Sequence, residues 1–157
     1  FVVSLSFGQD SDPIFNKAED LFANGEYQKA AELYSQVISG NADNMNAYLR
    51  RGFCQSVLKN YDEAVKDFTF VVEKHSDHPF AYLSRGSAFV KKEEFKLALA
   101  DFDKVLSIDP ENQEAYNNRG WAKNGLGLYK EACKDWKTSK KMGNSEAKLI
   151  LKNNHCK

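Results

Sequence analysis

The sequence predicts an all-α protein, a right-handed superhelical array of antiparallel helix pairs. Three observations carry this prediction: a 34-residue spacing of small and aromatic residues, apolar residues at helical rather than alternating spacing, and few chain breakers. Of the 157 residues only 3 are Pro and 9 are Gly, and 42% are hydrophobic. This composition is typical of a folded chain and argues against a loop-rich β protein.

Small residues mark the repeat. Ala30, Ala64, Ala98 and Ala132 follow one another at intervals of 34 residues without an insertion. In each block an aromatic residue precedes this alanine by three positions and another follows it by four: Tyr27 and Tyr34, Tyr61 and Phe68, Phe95 and Phe102, Tyr129 and Trp136. The spacing divides the chain into four blocks, which are 11–44, 45–78, 79–112 and 113–146.

Each block is predicted to form two helices. In the third block the residues that pattern the first helix are Tyr82, Phe89 and Val90, and those that pattern the second are Phe95, Ala98, Leu99, Phe102 and Val105. Proline suits the first turn of a helix, so Asp12-Pro13 and His78-Pro79 indicate helix starts. The breaks between paired helices are expected at Asn24-Gly25, Lys59-Asn60, Glu93-Glu94 and Gly127. Because one pair cannot bury both of its faces, neighbouring pairs must stack.

A ninth helix is predicted at the C-terminus, over residues 145–155 and beginning at Ser145. Residues 147–157 form the capping helix and tail that follow the fourth block. The apolar residues expected to cover the last repeat are Ala147, Leu149, Ile150 and Leu151. Repeat arrays need such a cap because the terminal unit has no further neighbour.

The four blocks resemble the tetratricopeptide repeat (TPR) family over 136 of the 157 residues. The third block matches the family's signature most fully, with Tyr82, Gly86, Phe89, Phe95, Ala98, Phe102 and Pro110 at signature positions. The chain departs from the pattern in two ways. The residue before the small Gly is Arg51, Arg85 or Arg119 instead of Leu, and Pro110 has no counterpart in the other blocks. The resemblance implies a helical-hairpin solenoid.

Charge and motifs favour a non-enzymatic protein. The 22 basic residues balance the 22 acidic ones, which argues against a nucleic-acid partner bound through bulk charge. No apolar run is long enough for a membrane span. The sequence has no glycine-rich phosphate loop and no HExxH motif, and we expect neither a cofactor nor a metal. His75 and His78, with Asp77 nearby, are interpreted as solvated turn residues.

The resemblance implies a concave groove lined by the first helix of each pair, which would hold a peptide or a protein partner. The positions that line such grooves are occupied here by Phe15, Phe22, Leu49, Arg50, Phe53, Leu83, Asn117, Asn118 and Trp121. The same positions add Val57, Phe80, Ser84, Val90 and Asn124. Large apolar residues that face solvent often mark interaction sites. The alternative is a structural or assembly scaffold that acts through self-association or packing edges.

One subtype of groove is not expected. TPR modules that clamp the C-terminal carboxylate of chaperones carry Lys, Asn and Arg at defined positions of three successive first helices. Blocks one to three have Phe15, Glu19, Arg50, Phe80 and Ser84 at those positions, and blocks two to four have Leu49, Phe53, Ser84, Glu114 and Asn118. Neither set supplies the cationic clamp.

Residues 1–10 begin with the apolar segment FVVSLSF and are interpreted as the remnant of a bacterial export signal. This interpretation favours an exported, periplasmic or secreted protein, and the alternative is a cytoplasmic one. The same apolar segment is a candidate for weak self-association, since it would fit the groove of a neighbouring molecule.

The three cysteines are expected to differ. Cys54 occupies a position that is Ala88 and Ala122 in later blocks, so we expect a buried, free thiol. Cys133 faces the capping helix, at whose end Cys156 lies, and a disulfide between these two is our candidate. The segments ACKDW and HCK also resemble exported bacterial repeat proteins that fasten the last helix in this way. The alternative is two reduced thiols in a cytoplasmic protein.

Overall fold

A computed structural model describes residues 12–153 and Cys156. Its helices are α1 (Pro13–Ala23), α2 (Tyr27–Gly40), α3 (Met45–Val57), α4 (Tyr61–Lys74), α5 (Pro79–Lys91), α6 (Phe95–Ile108), α7 (Gln113–Gly125), α8 (Tyr129–Lys141) and α9 (Ser145–Asn153). No strand occurs among the described residues, and each helix packs mainly against the helices before and after it in sequence. The all-α prediction is confirmed. The predicted export-signal remnant and FVVSLSF segment lie outside the described residues.

Local signals place the helix ends. The side chains of Asn44, His78 and Asn112 each accept a hydrogen bond from a backbone N–H in the first turn that follows, and so cap α3, α5 and α7. Within each hairpin one residue adopts the left-handed backbone conformation, again at 34-residue intervals: Gly25, Lys59, Glu93 and Gly127. Two of these four residues carry a side chain where glycine is strongly preferred.

The core of each hairpin is a close crossing of a small residue with an aromatic ring 16 residues later. At Gly86 an added Cβ would lie 2.7 Å from Cε1 of Phe102, and at Gly52 it would lie 2.9 Å from Cε1 of Phe68. The fourth repeat pairs Gly120 with the indole of Trp136 in the same way. Because the glycines have no side chain, the two helices approach closely enough to bury these rings.

The arginines that depart from the family pattern form a repeated ion pair. Each donates two hydrogen bonds to an aspartate 16 residues later on the second helix of its own repeat: Arg51 to Asp67, Arg85 to Asp101 and Arg119 to Asp135. Each also donates one to a residue of the preceding repeat, respectively Ser35, Thr69 and Asp103. The hydrogen bonds with the aspartates raise the pKa of all three guanidinium groups. One side chain therefore joins two repeats.

Helix α9 covers the last repeat with fewer residues than the sequence predicts. Ile150 is buried against Trp136 and Ala147 is also buried, but Leu149 is 63% exposed, so its predicted burial is wrong. At about 100° per residue, Leu149 lies about 160° around this helix from Ala147 and about 100° from Ile150, so it points away from the buried side.

The cysteines take the places that the sequence analysis expects. Cys133 on α8 is joined to Cys156 by a disulfide that spans a Cα–Cα distance of 5.5 Å. Cys54 is buried and free, and burial raises the pKa of its thiol to about 11. A buried thiol with a raised pKa is chemically inert at neutral pH. The disulfide thus fastens the end of the capping segment to α8.

Candidate functional site

Most of the residues that the sequence places in the groove line two cavities, which are built mainly by the first helices of the repeats. The N-terminal cavity, with a volume of about 560 Å³, contains six of the predicted residues. They are Phe15, Phe22, Leu49, Arg50, Phe53 and Phe80, and the lining is completed by Glu19 and Asn46. These residues come from α1, α3 and α5, so three successive repeats build one site.

An aromatic cluster forms the wall of this N-terminal cavity. The rings of Phe22 and Phe53 lie 5.3 Å apart, and Tyr27 packs against both. Phe53 is 38% exposed and Phe80 is 47% exposed, so each offers apolar surface to a ligand. Aromatic side chains that are held rigidly and only partly buried are common anchors of protein interfaces.

Arg50 is the cationic group in the lining of the N-terminal cavity, and its position is set by two neighbours. Its guanidinium lies 3.0 Å from the Glu19 carboxylate and 4.9 Å from the centroid of the Phe22 ring. The hydroxyl of buried Tyr34 donates a hydrogen bond to the same carboxylate, and burial raises the pKa of Tyr34. Glu19, Phe22 and Tyr34 together hold the Arg50 guanidinium, which is both a cation and a hydrogen-bond donor, at the edge of an apolar surface.

The C-terminal cavity, of about 530 Å³, lies between α5 and α7 and is more polar. Trp121 packs edge-on against Trp136 with ring centroids 5.3 Å apart and leaves part of its indole in the cavity. Asn118 donates a hydrogen bond of 3.2 Å to the hydroxyl of Ser87. Both of these predicted groove residues, Asn118 and Trp121, are brought to this site. The lining also includes Val90, Lys91, Glu93, Phe95 and Glu146.

Two predicted groove residues do not face the groove. Leu83 is only 9% exposed and belongs to the core between α5 and α7. Asn117 is 1% exposed, and its amide donates a hydrogen bond of 3.0 Å to Glu146 on α9. Its backbone carbonyl oxygen accepts a hydrogen bond from the indole N–H of Trp136. The expectation that these two side chains line an open groove is wrong, because neighbouring elements pack over them.

The structure also adds residues that the sequence analysis did not select. Glu19 and Asn46 occupy groove positions of the first and second blocks, so their positions in the repeat were the signal that could have included them. Phe95 differs, since it begins the second helix of its pair and enters the C-terminal cavity from the hairpin turn. The positional rule, which reads first helices, has no signal for Phe95.

His78 has a structural role at the start of α5. Nδ1 of His78 accepts a hydrogen bond of 3.2 Å from the backbone N–H of Ala81 and so caps α5. Among residues 12–153 and Cys156, no group of three His, Cys, Asp or Glu side chains could hold a metal ion. In that same part of the chain no helix is both long enough and apolar enough to cross a membrane.

Comparison with known families identifies the repeat. One tetratricopeptide repeat model matches residues 21–66, and a second matches residues 56–113 and 83–136. The chain belongs to the tetratricopeptide repeat family. TPR proteins are in general protein-interaction or scaffold modules, and this chain is one of them. No match to a curated protein was found.

Solved structures agree with the TPR fold. MamA from Desulfovibrio magneticus RS-1 superposes with a TM-score of 0.79 at 21% identity, over 83% of this chain and 73% of MamA. A MamA RS-1 double mutant gives a TM-score of 0.80 at 19% identity, over 88% and 78% of the two chains. The TPR domain of Arabidopsis OM64 gives 0.67 at 28% identity, over 70% and 93%. The likeness to MamA shows the fold alone.

Proposed function

We propose that this TPR protein is a non-enzymatic module that holds an extended peptide segment of a partner protein along its two cavities. The observation that supports this most is the N-terminal cavity, where six separately predicted residues meet in one site, five of them apolar and the sixth the cation Arg50. Phe22, Phe53 and Phe80 would receive an apolar side chain of the peptide. Arg50 and Asn46 would bond its backbone carbonyl groups.

The C-terminal cavity supplies the second contact point. Trp121 offers a flat, partly buried indole, and the amide and hydroxyl of Asn118 and Ser87 lie beside it. Such a pairing of a rigid aromatic surface with neutral hydrogen-bonding groups suits a backbone with an apolar side chain better than it suits a charged ligand. We therefore expect a peptide with two apolar anchors.

The test uses peptides selected from a random library for binding to the full chain. We expect Phe53→Ala and Trp121→Ala each to weaken binding by about 30-fold, since truncation of an aromatic anchor commonly costs about 2 kcal/mol. Leu97→Ala is the matched control, because Leu97 is 52% exposed on α6 and lines neither cavity. Circular dichroism should show equal helicity in all variants. Unchanged binding in both aromatic variants would refute the groove assignment.

An assembly role is the second candidate, and the apolar sequence FVVSLSF supports it. This segment would occupy the N-terminal cavity of a second copy as an extended peptide. Sedimentation velocity at several protein concentrations separates the two functions, because self-association requires no added ligand. If this role is correct, removal of residues 1–8 and Phe53→Ala should both lower the average mass at high concentration; a mass unaffected by either change would contradict it.

We further propose that the protein is exported. The export-signal interpretation of residues 1–10 and the pairing of Cys133 with Cys156 both support this compartment, since stable disulfides persist where the surroundings are oxidising. Fractionation of the native cells with an antibody tests the proposal directly. Recovery in the cytoplasmic fraction alone would contradict it.

A further inference from the structure

The neutral total charge of the chain conceals a strong separation of charge along it. Residues 129–157 contain eight lysines and three acidic residues, whereas residues 1–128 contain 14 basic and 19 acidic residues. The C-terminal segment therefore carries a net charge of +5 and the rest of the chain carries −5. Such asymmetry within a neutral protein indicates a local surface for an anionic partner.

Four of these lysines form a stripe on α8. Lys130, Lys134, Lys137 and Lys141 are spaced by four, three and four residues, which places them on one face of the helix. All four are exposed. The buried residues of this helix, which are Ala132, Asp135, Trp136 and Ser139, lie on the opposite face. The stripe consequently points away from the core and belongs to the second helix of its pair.

Helix α9 extends the stripe into a wider surface. Lys148 and Lys152 are exposed and one turn apart, with the exposed Leu149 between them. A shallow cavity of about 360 Å³ connects the two helices and is lined by Lys137, Lys140, Lys141, Leu151 and Cys156. Because Cys156 is joined to Cys133 on α8, the disulfide holds the two parts of this lysine face together.

The acidic residues of the same segment do little to neutralise the lysine face. Asp135 is buried and bonded to Arg119 and Lys123. Glu146 accepts a hydrogen bond from the amide of Asn117 on α7. Glu131 is exposed, but at about 100° per residue it projects to the side of the stripe. Within residues 129–157 the lysine face therefore keeps an excess of positive charge.

We propose that the lysine face docks the protein on the surface of an anionic lipid bilayer. The basic residues of residues 129–157 are all lysines, which act as hydrated point charges on flexible stems. A site for one phosphate or carboxylate would instead converge on it with the planar donors of arginine. Spread over two helices, the lysines match an extended sheet of negative headgroups.

Leu149 distinguishes a bilayer from a soluble polyanion. It is 63% exposed and, at about 100° per residue, lies about 60° from Lys152 around α9, at the edge of the lysine face, where an apolar residue of a membrane-bound helix enters the headgroup layer. A nucleic acid or an acidic peptide would gain little from an isolated exposed leucine. In this orientation the groove residues, which lie chiefly on first helices, remain available to a partner.

The experiment measures binding of the full, disulfide-bonded chain to vesicles by flotation. One set of vesicles is pure phosphatidylcholine, and the other contains about 30% phosphatidylglycerol, which gives a strongly negative surface. The test variant carries Lys130→Gln, Lys134→Gln, Lys137→Gln and Lys141→Gln. The control variant loses the same number of exposed lysines elsewhere, through Lys17→Gln, Lys29→Gln, Lys66→Gln and Lys96→Gln.

We expect the wild-type protein to bind the anionic vesicles and not to bind the neutral ones. Each lysine at an anionic surface contributes roughly fivefold, so the test variant should lose at least about 100-fold in partition coefficient and the control only a few-fold. Lys148→Gln with Lys152→Gln should lose about tenfold or more and serves as an independent test on α9. Equal loss in test and control variants, or equal binding to both kinds of vesicle, would overturn the proposal.

Leu149→Ser decides between the bilayer and a soluble polyanion. We expect it to lower binding to the anionic vesicles several-fold and to leave binding to duplex DNA and to polyglutamate unchanged. Two results together would overturn the membrane assignment in favour of a soluble acidic partner. One is that wild type binds either polymer as tightly as it binds the vesicles, and the other is that Leu149→Ser leaves vesicle binding unchanged.

Discussion

Loss of the Arg51 guanidinium should destabilise the array more than any surface change. Arg51 donates hydrogen bonds of 2.9 Å and 2.6 Å to Asp67 and one of 3.0 Å to Ser35. The side chains of Arg51 and Asp67 are 23% and 5% exposed, so Arg51→Met would leave a buried carboxylate without its counter-ion. Breaking a buried pair in this way costs about 3–5 kcal/mol. Since Arg51 keeps some contact with water, we expect about 3 kcal/mol.

The assay is equilibrium unfolding in urea, followed by circular dichroism, with Arg50→Met as a matched control in the same helix. Arg50 pairs with Glu19 at 3.0 Å, but these side chains are 45% and 32% exposed. An exposed pair of this kind contributes about 1 kcal/mol or less. The m value should remain constant if the whole array unfolds in the same transition.

The double variant Arg51→Met with Asp67→Leu tests the mechanism. Because it replaces both charges by apolar groups, its free energy of unfolding should lie within about 1 kcal/mol of wild type. Two results would refute the reasoning. One is a loss in Arg51→Met no larger than that in Arg50→Met, and the other is a double variant whose loss equals the sum of the single losses.

Three further predictions follow from the hairpins and the cysteines. Gly86→Ala should lower the free energy of unfolding by about 1–3 kcal/mol, because its Cβ would overlap the buried ring of Phe102. Gly40→Ala is the control and should leave the free energy of unfolding unchanged, since there is open space around Gly40. Equal melting temperatures for the two variants would contradict the prediction. Lys59→Gly and Glu93→Gly should each stabilise the folded protein by about 0.5–1 kcal/mol, because both residues have φ near +60°, a conformation that glycine adopts without strain. The melting temperature should rise by about 2–4 °C per kcal/mol, and a lower melting temperature would count against the prediction. Titration with Ellman's reagent at pH 8 should find almost no reactive thiol in the native protein, because burial raises the pKa of Cys54 to about 11 and keeps it protonated. It should find one thiol after unfolding and three after reduction; three without reduction would exclude the disulfide.

The repeat and its helices could be predicted from the sequence because their signals are local. The 34-residue period and the helical spacing act within each hairpin, and the four turn residues from Gly25 to Gly127 recur at this same interval. Six groove residues in the N-terminal cavity were also predictable, since side chains at equivalent positions of stacked, near-identical units point the same way.

Leu83 is an exception in an interior repeat, where it joins the core, whereas the exceptions Asn117 and Leu149 lie at the C-terminal end of the array. Asn117 has the same repeat position as Leu49, yet it is buried because Glu146 of the shorter α9 bonds its amide. Leu149 was expected to be covered and is exposed, because this final helix has no further helix beyond it in the described chain. A rule based only on position within the repeat cannot describe the terminal unit, because its neighbour differs from those of the other repeats.

What the sequence alone determined is the unit: its length, its two helices, its turns and the face that builds the groove. The tertiary structure decided which residues of different units meet. Three arginines depart from the family pattern in the sequence: Arg51, Arg85 and Arg119. Only the packing of the two helices of a repeat shows that each pairs with an aspartate 16 residues later and reaches into the preceding repeat. Local spacing governs backbone conformation, whereas the burial and partnership of a side chain depend on atoms that the chain brings near only after it stacks.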